Sequence, residues 1–465
     1  MNFGGILSIA RSGLNAAQAQ ISTASQNVTN AQTPGYSRQR VTLMPGYPER
    51  TPQGTFGTGV LIEGVVRMRE ELIDAGFRRD TQSASYNEER RDALQAVEGV
   101  LGEPSDTGLA SSLEQFWSSW SDLSTNPDSS AARGVVRQRG AQVAAQLNTF
   151  GNQIVDAQTV TRTRLLATAD RVNALSAQVA DINARIVAAE ASGKESPDMR
   201  DQRDLKVDEL ASLIGATAYR QADGSVNINV GGDSIVDGAD FKPVRIQSLP
   251  SDPTKLGIAL GVAPAGGGIT ETMYQIGGKM AGAIDAYNNV YPTALTQLDG
   301  VAAAVVSTTN GVHRTGFIGA AAAGDFFDRS RITARTIRLD STISADVSKV
   351  AASGIANESG DNTVALALSQ LRNTTTTVNG QVVSLNEGYR NVVASIATST
   401  NSANGTATAA RTLATQSDTR RESVKGVSID EEMVNLMKFQ QSYSAAARLI
   451  SVVDEMSQTL INMGR

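Results

Sequence analysis

The stretch from Ser428 to Arg465 constrains this chain more than any other, because its apolar residues repeat on a heptad along its whole length. Leu436, Phe439, Tyr443, Ala446, Ile450, Val453, Ser457 and Leu460 fall on one stripe at alternating steps of three and four, the period of a coiled-coil seam. Leu449, Val452, Met456 and Met463 form a second apolar line beside it, so the stripe is wider than one partner helix requires. Gly426 interrupts the pattern upstream. Ser428 followed by Glu431 then reads as a capping box, each side chain satisfying a backbone donor of the first turn. Burying the large side chains of the first stripe contributes on the order of 10 kcal/mol, while ordering the backbone costs about 1–2 kcal/mol per residue. Such a helix needs a packing partner, and the opposite end of the chain matches it. Leu7, Ala10, Leu14, Ala17, Ile21, Ala24, Val28 and Ala31 repeat the same alternation. The two termini are therefore expected to pair as coiled-coil helices. Leu7, Leu14, Ile21, Val28, Leu436, Phe439, Tyr443, Ile450, Val453 and Leu460 are the candidate assembly interface.

Between the ends, 465 residues leave room for about three domains. Aromatics make up only 5% of the chain, so its cores should be built from Ala, Val, Leu and Ile on elongated helices. The first helix should stop near Asn30, because Thr33-Pro34-Gly35-Tyr36 joins a proline-restricted residue to a glycine free to turn. Asn30, Pro34, Gly35, Tyr36 and Arg38 are the expected hinge into the body. Pro45, Pro48 and Pro52 forbid long regular structure between Val41 and Phe56, and Val60 to Val66 alternates as a strand. Helices are predicted from Arg69 to about Leu101 and from about Thr107, the latter holding Trp117 and Trp120 on one face that reads as core. After the Asn126-Pro127-Asp128 turn a long helix runs to Ala191, and Ser196-Pro197 opens a charged helix ending near Gly215.

At Thr217 the period changes to two. Val226, Ile228 and Val230, then Leu256, Ile258, Leu260 and Val262, alternate with turns at Asp223-Gly224 and Gly231-Gly232, and Ala265 to Gly268 closes the segment. Helix resumes from Met273 to about Val306. Residues 315–355, with Ile337, Leu339, Ile343 and Val347, read as a second β segment packing with the first. From Asp361 to Arg421 the helical pattern is weak, broken at Asn379-Gly380 and diluted over Ser399 to Thr408, a loop or a poor helix. The expected fold is α+β and multidomain, an elongated helical bundle with paired terminal coiled-coil helices and a small inserted β domain. Its divisions are 1–35 plus 427–465 for the terminal helices, 36–215 plus 270–308 plus 358–426 for the bundle, and 216–269 plus 309–357 for the outer β domain.

Composition removes much chemistry. Cysteine is absent and His313 is the single histidine, so thiolate sites and paired imidazoles are excluded. His313 reads as a surface or packing residue. A net charge of -6 without a basic block argues against nucleic acid, and no apolar run is long enough for membrane insertion. Ala17-Gln18-Ala19 mimics a signal-peptidase site, but no basic region precedes it and Arg11 interrupts the short apolar stretch. Gly193-Lys194 lacks the remainder of a phosphate-binding loop. Asp430-Glu431-Glu432 is what a helix dipole favours in a first turn. No catalytic residue, metal or cofactor is expected.

Three groups of residues carry a family resemblance. Asn27-Val28-Thr29-Asn30 with Thr33-Pro34-Gly35-Tyr36-Ser37-Arg38-Gln39 resembles a segment shared by flagellar rod, hook and junction proteins, and the Ser-Arg-Gln ending points to the junction protein. Gly426 to Met433, Gln440-Gln441-Ser442-Tyr443 and Asp454-Glu455-Met456 resemble the C-terminal helix of the flagellar hook-associated protein 1 family. Asp198-Met199-Arg200-Asp201-Gln202-Arg203-Asp204 and Asp223-Gly224-Ser225-Val226 fit the same family. Gln32 departs from it, standing where asparagine is frequent, and the β portion is short. The resemblance implies a structural subunit secreted through the flagellar export channel, without a cleaved signal, to the hook–filament junction. It further implies terminal helices in the inner tube of a ring of copies. The implied partners are hook protein, the second hook-associated junction protein, further copies of itself and a cytoplasmic export chaperone. A hook or rod protein is the alternative within this class. An exported carboxylate-dependent cell-wall hydrolase is the alternative outside it, and rests only on the abundance of Asp and Glu.

Overall fold

Every long helix of this protein lies in a stretch without an interior proline, since proline removes a helical hydrogen bond and clashes with the preceding turn. The computed structural model describes residues 3–51, 54–191, 193–261, 272–273 and 276–463. The chain opens with α1 (Phe3–Asn30) and a ribbon in which β1 (Gln39–Pro45) pairs antiparallel with β4 (Val60–Arg67), bulged between Thr42 and Leu43. The short β2 (Glu49–Thr51) and β3 (Gly54–Phe56) extend the ribbon tip. The proline-marked stretch thus holds only short paired strands, with Pro45 closing β1 and Pro48 preceding β2. Next come α2 (Glu71–Leu101), α3 (Leu109–Thr125), α4 (Ser130–Glu190) and α5 (Pro197–Ile214).

The 61 residues of α4 make a spine of about 90 Å at 1.5 Å per residue. Ser129 caps it by accepting from Ala132 N–H. Pro197 opens α5 as read, but Ser196 makes no side-chain cap bond; its N–H donates to Glu190 Oε1 at 2.7 Å.

Two apolar cores lie along the spine. In the first, Val136, Val143, Leu147 and Ile154 of α4 meet Leu113, Phe116, Trp117 and Trp120 of α3, so both tryptophans are core residues. The second packs Leu165, Val172, Leu175 and Val179 of α4 and Val207, Leu210 and Ile214 of α5 against the inserted sheets. One sheet is a meander of β5 (Thr217–Arg220), β6 (Val226–Val230), β7 (Asp233–Asp237) and β8 (Asp240–Phe241); the other joins β9 (Val244–Leu249), β10 (Asp252–Leu260) and β11 (Thr272–Met273). Val262 and Ala265 to Gly268 lie outside the described residues.

The helix expected from Met273 begins at Gly278. It runs as α6 (Gly278–Asp285), a π-turn over Ala286–Val290, and α7 (Tyr291–His313). The π-turn brings Asn288 against β10, where its side chain donates to Leu256 O and accepts from Leu256 N–H, both at 2.8 Å. That exchange substitutes for a strand partner.

The second β segment is not borne out. Residues 309–313 finish α7, and 314–357 contain β12 (Phe317–Ile318), β13 (Ala321–Ala322), the short α8 (Ser341–Ala345), a 3-10 turn over Val347–Lys349 and otherwise irregular chain. Phe326, Phe327, Ile337, Ile343 and Val350 bury into the first core, not the sheets. Turn bonds and side-chain bonds satisfy this backbone, as where Asn310 Oδ1 accepts from Phe326 and Phe327 N–H at 2.9 and 2.8 Å. His313 is a packing residue, fully buried at the end of α7. Its Nδ1 meets Gly324 O at 2.7 Å and its Nε2 accepts from Ala351 N–H at 3.0 Å, and burial disfavours its protonation.

After α9 (Thr363–Gln370), the hairpin of β14 (Thr375–Val378) and β15 (Gln381–Ser384) turns at Asn379-Gly380, both at positive φ. The helix α10 (Leu385–Lys425) then runs unbroken through Ser399 to Thr408, and α11 (Ile429–Met463) closes the chain. That stretch is helical because Thr400, Ala403, Ala407, Ala410 and Ala414 form its buried face, with Ala410 and Ala414 in one small core with Ala84 of α2. Tertiary packing here overrides weak propensity.

Candidate functional site: the terminal hairpin and its junction with the body

The termini pair as an antiparallel hairpin. A Cβ on Gly13 of α1 would lie 3.9 Å from Ala446 Cβ of α11, and Asn27 reaches Glu432 near the other end of the contact. Ala10, Ala17 and Ala24 are buried on α1, as are Ala446 and Val453 on α11, small side chains at the centre of a close contact. Leu14, Ile21, Val28, Leu436, Phe439 and Ile450 are half-buried. Leu7, Tyr443 and Leu460 remain exposed, so three of the predicted interface residues are not covered by the hairpin contact. The second line is exposed as well, with Leu449, Val452 and Met456 each close to half accessible. The helix pair consumes one stripe of α11 and leaves the other uncovered within the chain.

The cap of α11 is half of the expected box. Ser428 Oγ accepts from Glu431 N–H at 3.4 Å, but the Glu431 carboxylate turns to Arg38 at 2.9 Å. A charge-assisted bond to guanidinium outcompetes one to a backbone amide.

The turn after α1 follows its residues closely. Tyr36 N–H donates to Thr33 O at 3.1 Å with Gly35 at φ +82°, a type II turn with Pro34 and Gly35 at its centre. Tyr36 thereby points back at α1, where its hydroxyl donates to Asn27 Oδ1 at 2.8 Å. Asn27 is buried and fully engaged. Its Oδ1 also accepts from Gln39 N–H at 2.9 Å, and its Nδ2 donates to Gln39 O at 2.9 Å and Glu432 Oε2 at 3.1 Å. Burial, then Asp198, Asp201 and Glu432, push the Tyr36 hydroxyl well above its ordinary pKa, so it stays a donor.

Arg38 ties the two chain crossings together. Its N–H donates to Lys425 O at 2.8 Å, and its guanidinium spans Glu431 and Glu432 at 2.9 and 2.7 Å. Below it, α5 presents Asp198, Asp201, Asp204 and Asp208 at steps of three, three and four, one helix face. Asp198 accepts from Gln39 Nε2 at 2.8 Å and from Gln26. Asp201 accepts from Ser37 N–H and Oγ–H at 2.8 and 2.7 Å and from Arg67 at 2.8 Å. Asp204 receives Arg67 at 2.8 Å and Arg69 at 3.0 Å. Asp208 receives Arg78 of α2 and Arg421 of α10. Burial opposes ionisation of Asp204, but Arg67, Arg69, Arg203 and Arg78 outweigh it and hold the carboxyl well below the usual range.

Parts of the three motif groups, Asn27 to Gln39, Asp198 to Asp204 and Glu431-Glu432, thus converge on one polar junction, although they lie far apart along the chain. Arg67, Arg69, Arg78 and Arg421 were missed in the sequence. Nothing local separates them from surface arginines; only the step pattern of the α5 acids hinted at a shared partner face. These acids are saturated by cationic and amide donors. A hydrolytic pair requires instead a protonated carboxyl facing a free carboxylate across a cleft. Among the described residues no cluster of three or more metal-ligating side chains is present, and no helix is long and apolar enough to cross a membrane.

Comparison with known proteins agrees on one family. Residues 94–327 match the family described as the flagellar hook-associated protein FlgK helical domain. Residues 7–36 match the flagella basal body rod protein family, and 423–463 the C-terminal family of flagellar basal body rod FlgEFG proteins. The chain is 30% identical to flagellar hook-associated protein 1 of Bacillus subtilis, covering 98% of this chain and 97% of that protein. It is 24% identical to the protein of the same name from Escherichia coli, over 98% and 99% of the two. The solved flagellar hook junction protein FlgK from Burkholderia pseudomallei shares the fold, with a TM-score of 0.64 at 16% identity over 77% of this chain and all of that one.

Proposed function

The chain belongs to the flagellar hook-associated protein 1 family, and from that premise we propose that it is a structural subunit joining hook to filament. It is an extracellular axial component of the flagellum, and its relatives are flagellar structural proteins. In the proposed division, 1–35 plus 427–465 is the assembling part, held out by the bundle from the small inserted sheets. The finer reading is that copies of the terminal hairpin stack into the inner tube, meeting hook protein on one side and the second junction protein on the other, with a cytoplasmic chaperone before export. Tube stacking needs head-to-tail contacts between unlike faces.

The observation that carries this reading is the exposed line Leu449, Val452 and Met456 on α11, an apolar face left after the hairpin is paired. Leu436 and Ile450 are poor test positions because they are half-buried in a helix that packs on α1. Val452→Asp with Met456→Asp leaves that seam alone. Cells carrying this variant should secrete the protein but shed their filament subunits into the medium, counted by electron microscopy and immunoblot. Normal filament number and length would refute the assignment of this face.

A further inference from the structure

We propose that copies of this chain meet flank to flank through their bodies, the arginine-rich turn at 329–338 of one copy seating in the acidic groove between the α2–α3 loop and α10 of the next. The turn is held from beneath. Phe327, Ala334 and Ile337 are buried in the first core, Asp328 accepts from Ser330 N–H and Oγ–H at 2.9 and 2.6 Å, and Ala334 N–H donates to Asp299 at 2.7 Å. Those anchors leave the tip facing outward. Arg329, Arg331, Arg335 and Arg338 are all exposed, Ile332 among them is 48% accessible, and the nearby carboxylates of Asp325 and Asp328 are mostly covered. An apolar side chain among arginines has the composition of an interface centre and its rim, and guanidinium is weakly hydrated enough to pair there.

The groove has the complementary chemistry. It encloses about 700 Å³, with Pro104, Ala110, Val393 and Ala394 among its lining and Glu103 and Asp106 set against Arg390; Glu98, exposed, stands one turn before the loop on α2. Glu103 is fixed in place, accepting from Ser105 N–H, Ala110 N–H and the Tyr389 hydroxyl at 3.1, 3.2 and 3.3 Å. These donors are neutral, so they leave its charge uncancelled. The two surfaces lie on opposite flanks of the spine. Gln146 of α4 donates to Thr107 O of the groove loop at 2.6 Å, while Asn148 donates to Ala334 O and Ile337 O of the turn at 2.8 and 3.1 Å. Two helical steps separate them by about 200° round the axis and only about 3 Å along it. Turn and groove of one chain therefore cannot meet each other, but those of adjacent copies can, at one level of the spine. Such a contact joins unlike faces and repeats head to tail into a ring or helix.

The contact rests on the assembly proposed above and adds its body surfaces. Because the chain has no cysteine, Ile332→Cys and Ala394→Cys, both at exposed positions, put one thiol on the turn and one in the groove. Treated with a short bismaleimide, hook–filament preparations from cells making the doubly substituted protein should yield a ladder of dimers, trimers and larger species on denaturing gels. Either cysteine alone should yield no ladder. Arg329→Glu with Arg331→Glu in the doubly substituted chain should cut the crosslinked fraction about tenfold or more, and adding Asp106→Arg should restore part of it. A preparation that contains the protein without a ladder, or a ladder indifferent to the charge reversal, would overturn the contact and leave the junction role standing. Absence of the unreversed protein from the preparations would instead defeat that role, and the same crosslink in concentrated purified protein would then decide the contact.

Discussion

Replacing Asn27 by alanine isolates the keystone of the junction. The side chain is 1% exposed and makes four hydrogen bonds, to Gln39 N–H, Gln39 O, Tyr36 hydroxyl and Glu432. A net bond contributes about 1 kcal/mol and a stranded buried partner costs about 1–3 kcal/mol. Complete loss would exceed 4 kcal/mol on that scale, but a cavity of about 250 Å³ lined by Thr23, Asn27, Gln39 and Phe439 adjoins the site, and water entering it can re-satisfy part of the set. The expected cost is therefore about 3 kcal/mol. It falls on docking of the hairpin, because Asn27 touches neither apolar core. Hydrogen exchange with mass spectrometry should show amides of α1 and α11 opening roughly a hundredfold faster, at about 1.4 kcal/mol per tenfold, while α3 and α7 keep their protection. Asn27→Asp should be worse at neutral pH, since it sets a carboxylate against Glu432 and Gln39 O. Unchanged protection in α1, or an equal loss throughout the body, would refute the reasoning.

Gly35→Ala should cost about 1–2 kcal/mol, from the left-handed φ that alanine resists and the close approach to Leu205; faster exchange confined to the turn and the end of α1 checks it. The Asp204 carboxyl has a folded pKa below its unfolded one, so its contribution is complete above the unfolded aspartate value of about 3.9 and is lost as pH falls below it. Melting temperature should decline from about pH 4 downward, and Asp204→Asn should lower it at neutral pH while flattening that acid decline.

The helices and their ends were legible because they depend on local chemistry. Heptad spacing marked α1 and α11; Pro197 opened α5 and Gly215, at positive φ, ended it; Thr33-Pro34-Gly35-Tyr36 forecast the turn. The shift of period at Thr217 found the inserted sheets. The assembly stripe was read too, though not its division, since a heptad pattern shows that a face is apolar and not which neighbour covers it.

Residues 309–357 defeated the same reading. Ile337, Leu339, Ile343 and Val347 look like strand positions, but Ile337 and Ile343 are drawn into the first core instead, and beside them the side chain of Asn310 takes the place of a strand partner for Phe326 and Phe327. In Ser399 to Thr408 the small residues fitted a loop or a poor helix equally, and Thr400, Ala403 and Ala407 proved to lie on the packed face of α10. The junction lay furthest beyond the sequence. That α5 carries acids on one face is a local fact; that Arg67, Arg69, Arg78 and Arg421 meet them is not, because ion pairing is settled by which segments the folded cores bring within about 4 Å. Periodicity and turn chemistry thus determined where this chain is helical and where it bends. Only the tertiary structure decided which charges are buried together, since that depends on contacts between residues hundreds apart in the chain.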